Sequence, residues 1–170
     1  MMSASLSVPQ FLTLKERLEE IMQERGFSAK YGFIRSLGYT TDGRGGQIRN
    51  ILKDRPVHYF YLCELAERLD RIPVRLWKNN EPLSGVQPKA FQRPLDYEYL
   101  RDGYIIDILR AERVASGMSQ GELAEKIGVL RGRISNTETY RMLPKTDKIS
   151  KFCEVFGLEA EWLAEPLVAK

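Results

Sequence analysis

The chain has 170 residues, enough for one domain or for two small ones. Its composition, 43% hydrophobic and 29% charged, is typical of a soluble globular protein. An apolar run of about 18 residues, as a membrane span would need, does not occur in it. The first ten residues lack the basic and apolar segments of a secretion signal, so we expect neither secretion nor membrane insertion.

The residue types that support catalysis or metal binding are scarce. Cys63 and Cys153 lie far apart among apolar neighbours, which favours small core residues of a reduced protein. His58 is the single histidine, and the acidic residues are scattered along helix surfaces. We therefore expect no metal site, no cofactor and no enzymatic activity.

The first half of the chain predicts a succession of helices. Thr13 and Glu16 have the spacing of a capping box that opens a helix, and Gly26 can end that helix. A second helix is predicted from Ser28 to Gly38, and a glycine-rich turn follows at residues 40–46. The remaining predicted helices of this half are 47–53, 57–69 and 73–77.

A change of composition marks the middle of the chain. Residues 79–94 contain three prolines, one glycine and two asparagines, which is typical of a linker. We therefore predict two domains, residues 11–78 and residues 95–166, joined by this Pro/Gly-containing linker.

The second half has the clearest local pattern. Its first predicted helix covers about residues 96–115. Ser119 and Glu122 then have capping-box spacing, and Gly128 can end the short helix that follows. The small side chain of Ala124 allows close crossing by a second helix in which Ile134 faces inward, as a helix-turn-helix requires. Pro144 ends this unit, and two more helices are predicted, one closed by Gly157 and one beginning at Glu161.

This stretch resembles the phage lambda repressor/Cro-type helix-turn-helix, also called the XRE family. The departures are Thr137, where the family usually has an apolar residue, and Tyr140, where it usually has a glycine. The residues that carry the resemblance are Arg110, Arg113, Gly117, Met118, Ser119, Gln120, Leu123, Ala124, Ile127, Gly128, Val129, Ile134, Ser135 and Glu138.

The two halves also share an order of features. Gly38 pairs with Gly128, and the run Ile48-Arg49-Asn50 pairs with Ile134-Ser135-Asn136. Further pairs are Ser28 with Ser119, Pro56 with Pro144, and Leu76-Trp77 with Trp162-Leu163. The resulting expectation is an all-α fold of two tandem lambda-repressor-like five-helix domains, of which the first is degenerate.

Local charge indicates a polyanionic partner more clearly than the net charge of +3 does. One cluster has Asp54 as its only acid, and the other has only Glu138. The basic residues of the two clusters are Arg44, Arg49, Lys53 and Arg55 in the first and Arg131, Arg133, Arg141 and Lys145 in the second. The alternative for either cluster is a solvated face without a partner.

The resemblance implies that the helix at about residues 130–139 enters the major groove of double-stranded DNA. There Arg131 would bond guanine, Asn136 would read adenine or bond a phosphate, and Leu130 would touch a thymine methyl group. The candidate DNA-binding residues of this half are Ser119, Gln120, Leu130, Arg131, Gly132, Arg133, Asn136, Arg141 and Lys145. Those of the first half, around a helix at about 46–53, are Arg44, Gln47, Arg49, Asn50 and Lys53.

The expected function is that of a sequence-specific, phage-repressor-like transcriptional regulator. The resemblance implies a cytoplasmic protein of bacterial or phage origin that acts as a homodimer or as a monomeric pseudo-dimer. The two domains would then read two adjacent half-sites. The alternative is a protein–protein adaptor or antitoxin-like module that uses the same fold, and the arginine on the second helix favours DNA.

Overall fold

A computed structural model describes residues 7–40, 45–83 and 104–165, which are mostly helical and include one small sheet. In the first half the elements are α1 (Leu14–Glu24), α2 (Lys30–Ser36), α3 (Gly45–Leu52), α4 (Tyr59–Arg68), β1 (Ile72–Lys78) and β2 (Glu81–Pro82). In the second half they are α5 (Tyr104–Ala115), α6 (Gln120–Ile127), α7 (Arg131–Glu138), α8 (Thr146–Phe156) and β3 (Glu159–Ala164). None of the described helices is long and apolar enough to cross a membrane.

The start of α1 is the capping box that the sequence predicts. The Thr13 N–H donates to Glu16 Oε1 at 3.3 Å, and the Glu16 N–H donates to Thr13 Oγ1 at 3.2 Å. Gly26 follows the helix with a φ of +78°, a backbone conformation that costs glycine little. The buried face of α1 carries Leu18 and Ile21 at helical spacing.

Two other helix starts differ from the sequence prediction. Ala29, not Ser28, precedes α2, and no side chain caps that helix. The fourth helix begins at Tyr59, because the His58 side chain caps it by accepting a 3.3 Å hydrogen bond from the Phe60 N–H at Nδ1. In this helix Tyr59 is fully buried and Tyr61 is only half-buried.

The described chain is mostly helical, as expected, but the fifth helix predicted for each domain is a β-strand. Residues 73–77 lie in strand β1, and Glu161, predicted to begin a helix, lies in strand β3. A short apolar run can form a buried strand or a buried helix, because every position is apolar in both. Its periodicity therefore does not distinguish the two. Pairing with a distant strand decides the outcome here, since β1 lies between β2 and β3 in one antiparallel sheet.

The N-terminal end of the predicted linker also belongs to this sheet. Asn79 and Asn80 have φ values of 51° and 64° and form the tight turn between β1 and β2. Two consecutive left-handed residues are the requirement of a type I′ hairpin turn, for which asparagine is well suited. Residues 84–94 of the predicted linker, and the predicted helix start at 96–103, lie outside the described residues.

The sheet joins the two halves through a reciprocal register. Ile72 pairs with Ala164 at one end of the ribbon, and Trp77 pairs with Glu159 at the other. At the centre, Arg75 Nη1 donates to Glu161 Oε1 at 3.2 Å, and both side chains are nearly buried.

A second contact between the halves is also reciprocal. The Tyr59 N–H donates to the Pro144 carbonyl at 3.2 Å, and the Thr146 N–H donates to the Val57 carbonyl at 2.9 Å. These bonds flank an isolated bridge between His58 and Lys145. One continuous apolar core includes residues of both halves, so the described chain packs as a single unit.

The two cysteines lie within this core. Cys63 and Cys153 are both buried, and neither forms a disulfide bond. Burial, together with the nearby carboxylates of Glu159 and Glu154, raises the pKa of the Cys153 thiol to about 12. The thiolate fraction of Cys153 near neutral pH is therefore very small, which is typical of an inert structural cysteine.

We expect Gly45→Ala to destabilise the protein by about 1–3 kcal/mol, since overpacking a tight site forces neighbours to shift. A β-carbon at Gly45 would stand 1.9 Å from the Thr40 carbonyl oxygen. Gly132 is the matched control, because a β-carbon there meets nothing within 4 Å, and Gly132→Ala should stabilise helix α7 by about 0.5–1 kcal/mol. Urea unfolding of both variants measures the difference, and equal changes would contradict the close approach.

Candidate nucleic-acid interface

Helices α6 and α7 form the predicted helix-turn-helix. Ser119 caps α6 by accepting a 3.1 Å hydrogen bond from the Glu122 N–H. Only this half of the predicted capping box is formed among the described residues. Gly128 ends α6 with a φ of 74°, as predicted, and the turn leads directly into α7. The small side chain of Ala124 is buried, and α6 packs against α7.

Polar contacts do most to hold α7, whose only apolar residue is the buried Ile134. Thr137, where the family usually has an apolar side chain, is buried and donates from Oγ1 to the Arg133 carbonyl at 2.8 Å. The Thr137 hydroxyl therefore has a hydrogen-bond partner within the helix, which offsets the free-energy cost of burying a polar group.

Three helices meet at the carboxylate of Glu138. Arg113 of α5 makes a two-pronged contact with it, through Nε to Oε1 and through Nη2 to Oε2 at 2.9 Å. Gln120 of α6 donates from Nε2 to Oε2 at 2.8 Å, and Arg113 Nη1 also donates to the Met118 carbonyl at 2.8 Å. Bidentate arginine–carboxylate pairs fix direction as well as distance, so this cluster sets the position of α7.

The same cluster keeps Arg113 charged. The hydrogen bonds that Arg113 donates to the Glu138 carboxylate raise the pKa of Arg113, although desolvation by burial acts in the opposite direction. A raised folded-state pKa stabilises the fold at every pH below the ordinary arginine pKa, and this contribution is lost only as the pH rises above it. The arginine therefore remains charged throughout the neutral range.

Tyr140 occupies the position at which the family usually has glycine. Its φ is 63°, so the left-handed backbone that glycine would supply is retained by a tyrosine. The Tyr140 hydroxyl lies against the buried Asp107 side chain of α5, and this contact ties the end of the motif to the first helix of this half.

The predicted DNA-facing residues of the second half are mostly exposed around α7. Leu130 is 79% exposed, an unusual environment for a leucine. Arg131, Gly132, Arg133, Arg141, Lys145 and Ser119 are exposed, Asn136 is half-buried, and Gln120 is half-buried with its amide nitrogen bonded to Glu138. Because Glu138, the only acid between residues 131 and 145, is turned inward, the outer face of this segment is purely cationic.

The corresponding surface of the first half surrounds α3. Gln47, Arg49 and Asn50 are half-buried, and Lys53 is exposed. Asn50 Nδ2 donates to Gln47 Oε1 at 3.4 Å, which joins two of the candidate reading side chains. Arg44 lies outside the described residues, so only the helical part of this predicted surface is placed.

An open groove of about 910 Å³ connects the motif with the first half. Its lining includes Pro56 and His58 of the first half and Leu130 and Arg133 of the motif. Lys145, Asp147 and Lys148 complete its polar lining. Neither His58 nor Lys148 was among the predicted site residues; the contact between the halves brings His58 to the motif, and Lys148 lies on α8 of the same half as the motif. Among the described residues, no group of histidine, cysteine and acidic side chains could hold a metal ion.

Comparison with known families matches residues 109–163 to HTH_3, a family model described as helix-turn-helix. No curated protein and no solved structure matches the chain. The match covers α6, α7, α8 and most of β3, and it begins within α5. HTH_3 is a family of DNA-binding domains rather than of enzymes. The match therefore supports the resemblance of the second half of this chain to the XRE-type helix-turn-helix family.

Proposed function

We propose that this protein is a sequence-specific, double-stranded DNA-binding regulator of transcription that reads the major groove with α7. The observation that carries this function is the cationic outer face of α7 and the following loop, whose single acid is buried against Arg113. A helix in this arrangement presents its N-terminal residues to base edges. Arg131, exposed at the first position of α7, is the residue assigned to guanine.

The roles of the other candidates follow from their exposure. Arg133, Arg141 and Lys145 contact phosphates, and Leu130 lies against a thymine methyl group. Ser119 and Gln120 lie at the start of α6, where unpaired backbone N–H groups favour a phosphate. Because the Gln120 amide nitrogen is bonded to Glu138, this contact falls to the backbone N–H of Gln120.

The first half is proposed to be a degenerate second copy that reads a second half-site with α3. Its support is the same order of four helices and a strand, and the same left-handed backbone after each reading helix, at Asp54 and at Tyr140. Gln47, Arg49, Asn50 and Lys53, with Arg44, are assigned to this second contact. The chain then acts as a monomeric pseudo-dimer on adjacent half-sites.

Salt-dependent binding tests the proposal. We expect the full chain to enrich one sequence from a random duplex library. Its affinity should fall roughly a hundredfold between about 50 and 200 mM salt, the loss expected for about four phosphate contacts. Lys145→Ala should weaken binding to all duplexes alike and reduce the salt slope by about one. Lys151→Ala, which removes an exposed lysine farther along α8, is the control.

The absence of sequence-specific DNA binding would favour the alternative function, that of a protein-binding adaptor. If no sequence is enriched and binding at physiological salt is weak, the regulator proposal fails. The same fold would then be serving as a protein-binding adaptor.

A further inference from the structure

The groove between the motif and the first half has a largely apolar lining. Three of its side chains belong to the core, since Ile127 is 3%, Ile134 is 2% and Phe152 is 4% exposed. Met142 and Leu143, which also line the groove, are only half-buried. The volume of about 910 Å³ lies within the range of about 300–1,000 Å³ that is typical of sites for small molecules. The groove is therefore large enough to take an apolar chain.

The charged part of the lining is predominantly cationic. Arg133, Lys145 and Lys148 contribute positive charge, and Asp147 is the only acid among the described residues of the lining. None of these cations makes an ion pair within the part of the chain that the structure describes. Their charge is therefore available to an anion in the groove. A carboxylate suits it, because a single charge is removed from water more easily than two and its oxygens match a planar guanidinium.

His58 adds a hydrogen-bond donor to the same lining. Its Nδ1 accepts a 3.3 Å hydrogen bond from the Phe60 N–H at the start of α4. In a neutral imidazole only one nitrogen carries a proton, so that proton lies on Nε2 while the cap is formed. Nε2 has no hydrogen-bond partner within the described segments, and it can donate to a carboxylate. The groove thus offers an anion donors from both halves of the chain.

Contact with DNA does not account for the whole of this groove. Arg133 and Lys145 are assigned to phosphates, and Leu130 is assigned to a thymine methyl group. A phosphate contact needs a charged or polar group at the surface, and it makes no use of a buried apolar lining. Lys148 and His58 also line the groove, and neither belongs to the proposed reading surface. The apolar part of the groove is therefore left for another molecule.

We infer that the groove binds a small amphipathic carboxylate, with its apolar chain against Ile134 and Phe152 and its charge beside Lys148. A molecule bound there also covers Leu130 and Arg133, which the duplex needs. Ligand and duplex therefore exclude each other, and each weakens the binding of the other by the same factor. Only this exclusion rests on the proposed DNA-binding function, because the binding of the carboxylate does not require DNA.

Methyl NMR of the full chain, titrated with octanoate, tests the binding. We expect saturable shifts at the methyl groups of Met142, Leu143 and Val129, and none at Leu18 in the core face of α1. Each buried methylene tightens binding up to about fourfold, so octanoate should bind about tenfold more tightly than hexanoate. Octanol has the apolar chain without the charge, and acetate has the charge without the chain. Both are matched controls and should bind much more weakly.

Two variants test whether the ligand lies in the groove. Met142→Trp fills its apolar part and should weaken octanoate binding by at least about tenfold. Lys148→Gln removes a cation without adding bulk, and it should weaken octanoate binding up to about fivefold while leaving octanol binding unchanged. Because it alters only a charge, Lys148→Gln decides the matter where Met142→Trp fails to fold. Lys151→Gln, which removes an exposed lysine of α8 outside the groove, is the control.

Competition with DNA tests the exclusion. Octanoate at about ten times its dissociation constant should weaken affinity for the selected duplex roughly tenfold, and Met142→Trp should bind that duplex without this sensitivity. Octanoate that binds and leaves duplex affinity unchanged would overturn the exclusion. The absence of saturable methyl shifts up to about 10 mM, or equal shifts with octanol, would overturn the whole inference. A chain that enriches no duplex would end the proposed function, and the methyl titration would still decide the carboxylate site.

Discussion

Glu138→Leu is expected to lower the free energy of unfolding by about 1.5–3 kcal/mol, because it leaves the half-buried guanidinium of Arg113 without its charged hydrogen-bond partner. Glu138 accepts hydrogen bonds from Arg113 and from Gln120, and these two side chains belong to different helices. The substitution therefore removes the point at which α5, α6 and α7 are joined. DNA binding should weaken with stability, since α7 has only Ile134 as an apolar anchor.

Urea unfolding followed by the fluorescence of Trp77 and Trp162, both buried in the sheet, measures this change. The double variant Arg113→Met/Glu138→Leu should recover part of the loss, because no uncompensated charge then remains. Glu19→Gln is the control for a surface pair, since Lys15 and Glu19 are about half-exposed and 4.0 Å apart, and its effect should be slight. A loss of less than about 1 kcal/mol for Glu138→Leu would show that the cluster does not hold α7.

Arg131→Ala is expected to reduce affinity for the selected site by about tenfold to a hundredfold, the range of one bidentate arginine–guanine contact. The reduction should be confined to that site, because a base contact contributes nothing on a duplex that lacks the base. Binding to a scrambled duplex should change little, and the position facing Arg131 should accept other bases. Measuring the affinity for both duplexes with the same variant separates base reading from phosphate contact.

Arg35→Ala provides the matched comparison, because Arg35 is an exposed arginine on α2, outside both basic clusters. It should leave the affinity for both duplexes within about twofold of wild type. An equal loss on the selected and scrambled duplexes for Arg131→Ala would assign that arginine to the phosphate backbone. The reading role would then pass to another exposed residue of α7.

The ion-pair cluster also gives a physical reason why the resemblance is confined to the second half. When the isoleucines Ile48 and Ile134 are aligned, Leu52 stands at the position of Glu138. Leu52 lies beside an open pocket of about 500 Å³ that is also lined by Gly26 and Phe27. The first half therefore holds its third helix by apolar packing, and the polar residues by which the motif is recognised are absent from it.

Local sequence was sufficient for most of the helices and for several of their ends. Thr13 with Glu16, Gly26, Gly128 and Gly157 act within a few residues of where they stand, through capping bonds or a left-handed backbone. The helix-turn-helix is a local motif in the same sense, which is why residues 119–138 were predicted correctly in type and in order. The placement of site residues on DNA remains a prediction.

The strands and the contact between the halves depended on tertiary structure. The segments containing Val74 and Trp162 became strands because each buries its backbone polar groups against the other, although they lie far apart in the chain. The inward turn of Glu138 and the approach of His58 to α7 are likewise settled by distant partners. The sequence by itself determined the helices and the motif, and only the folded chain determined which surface is cationic and how the two halves face each other.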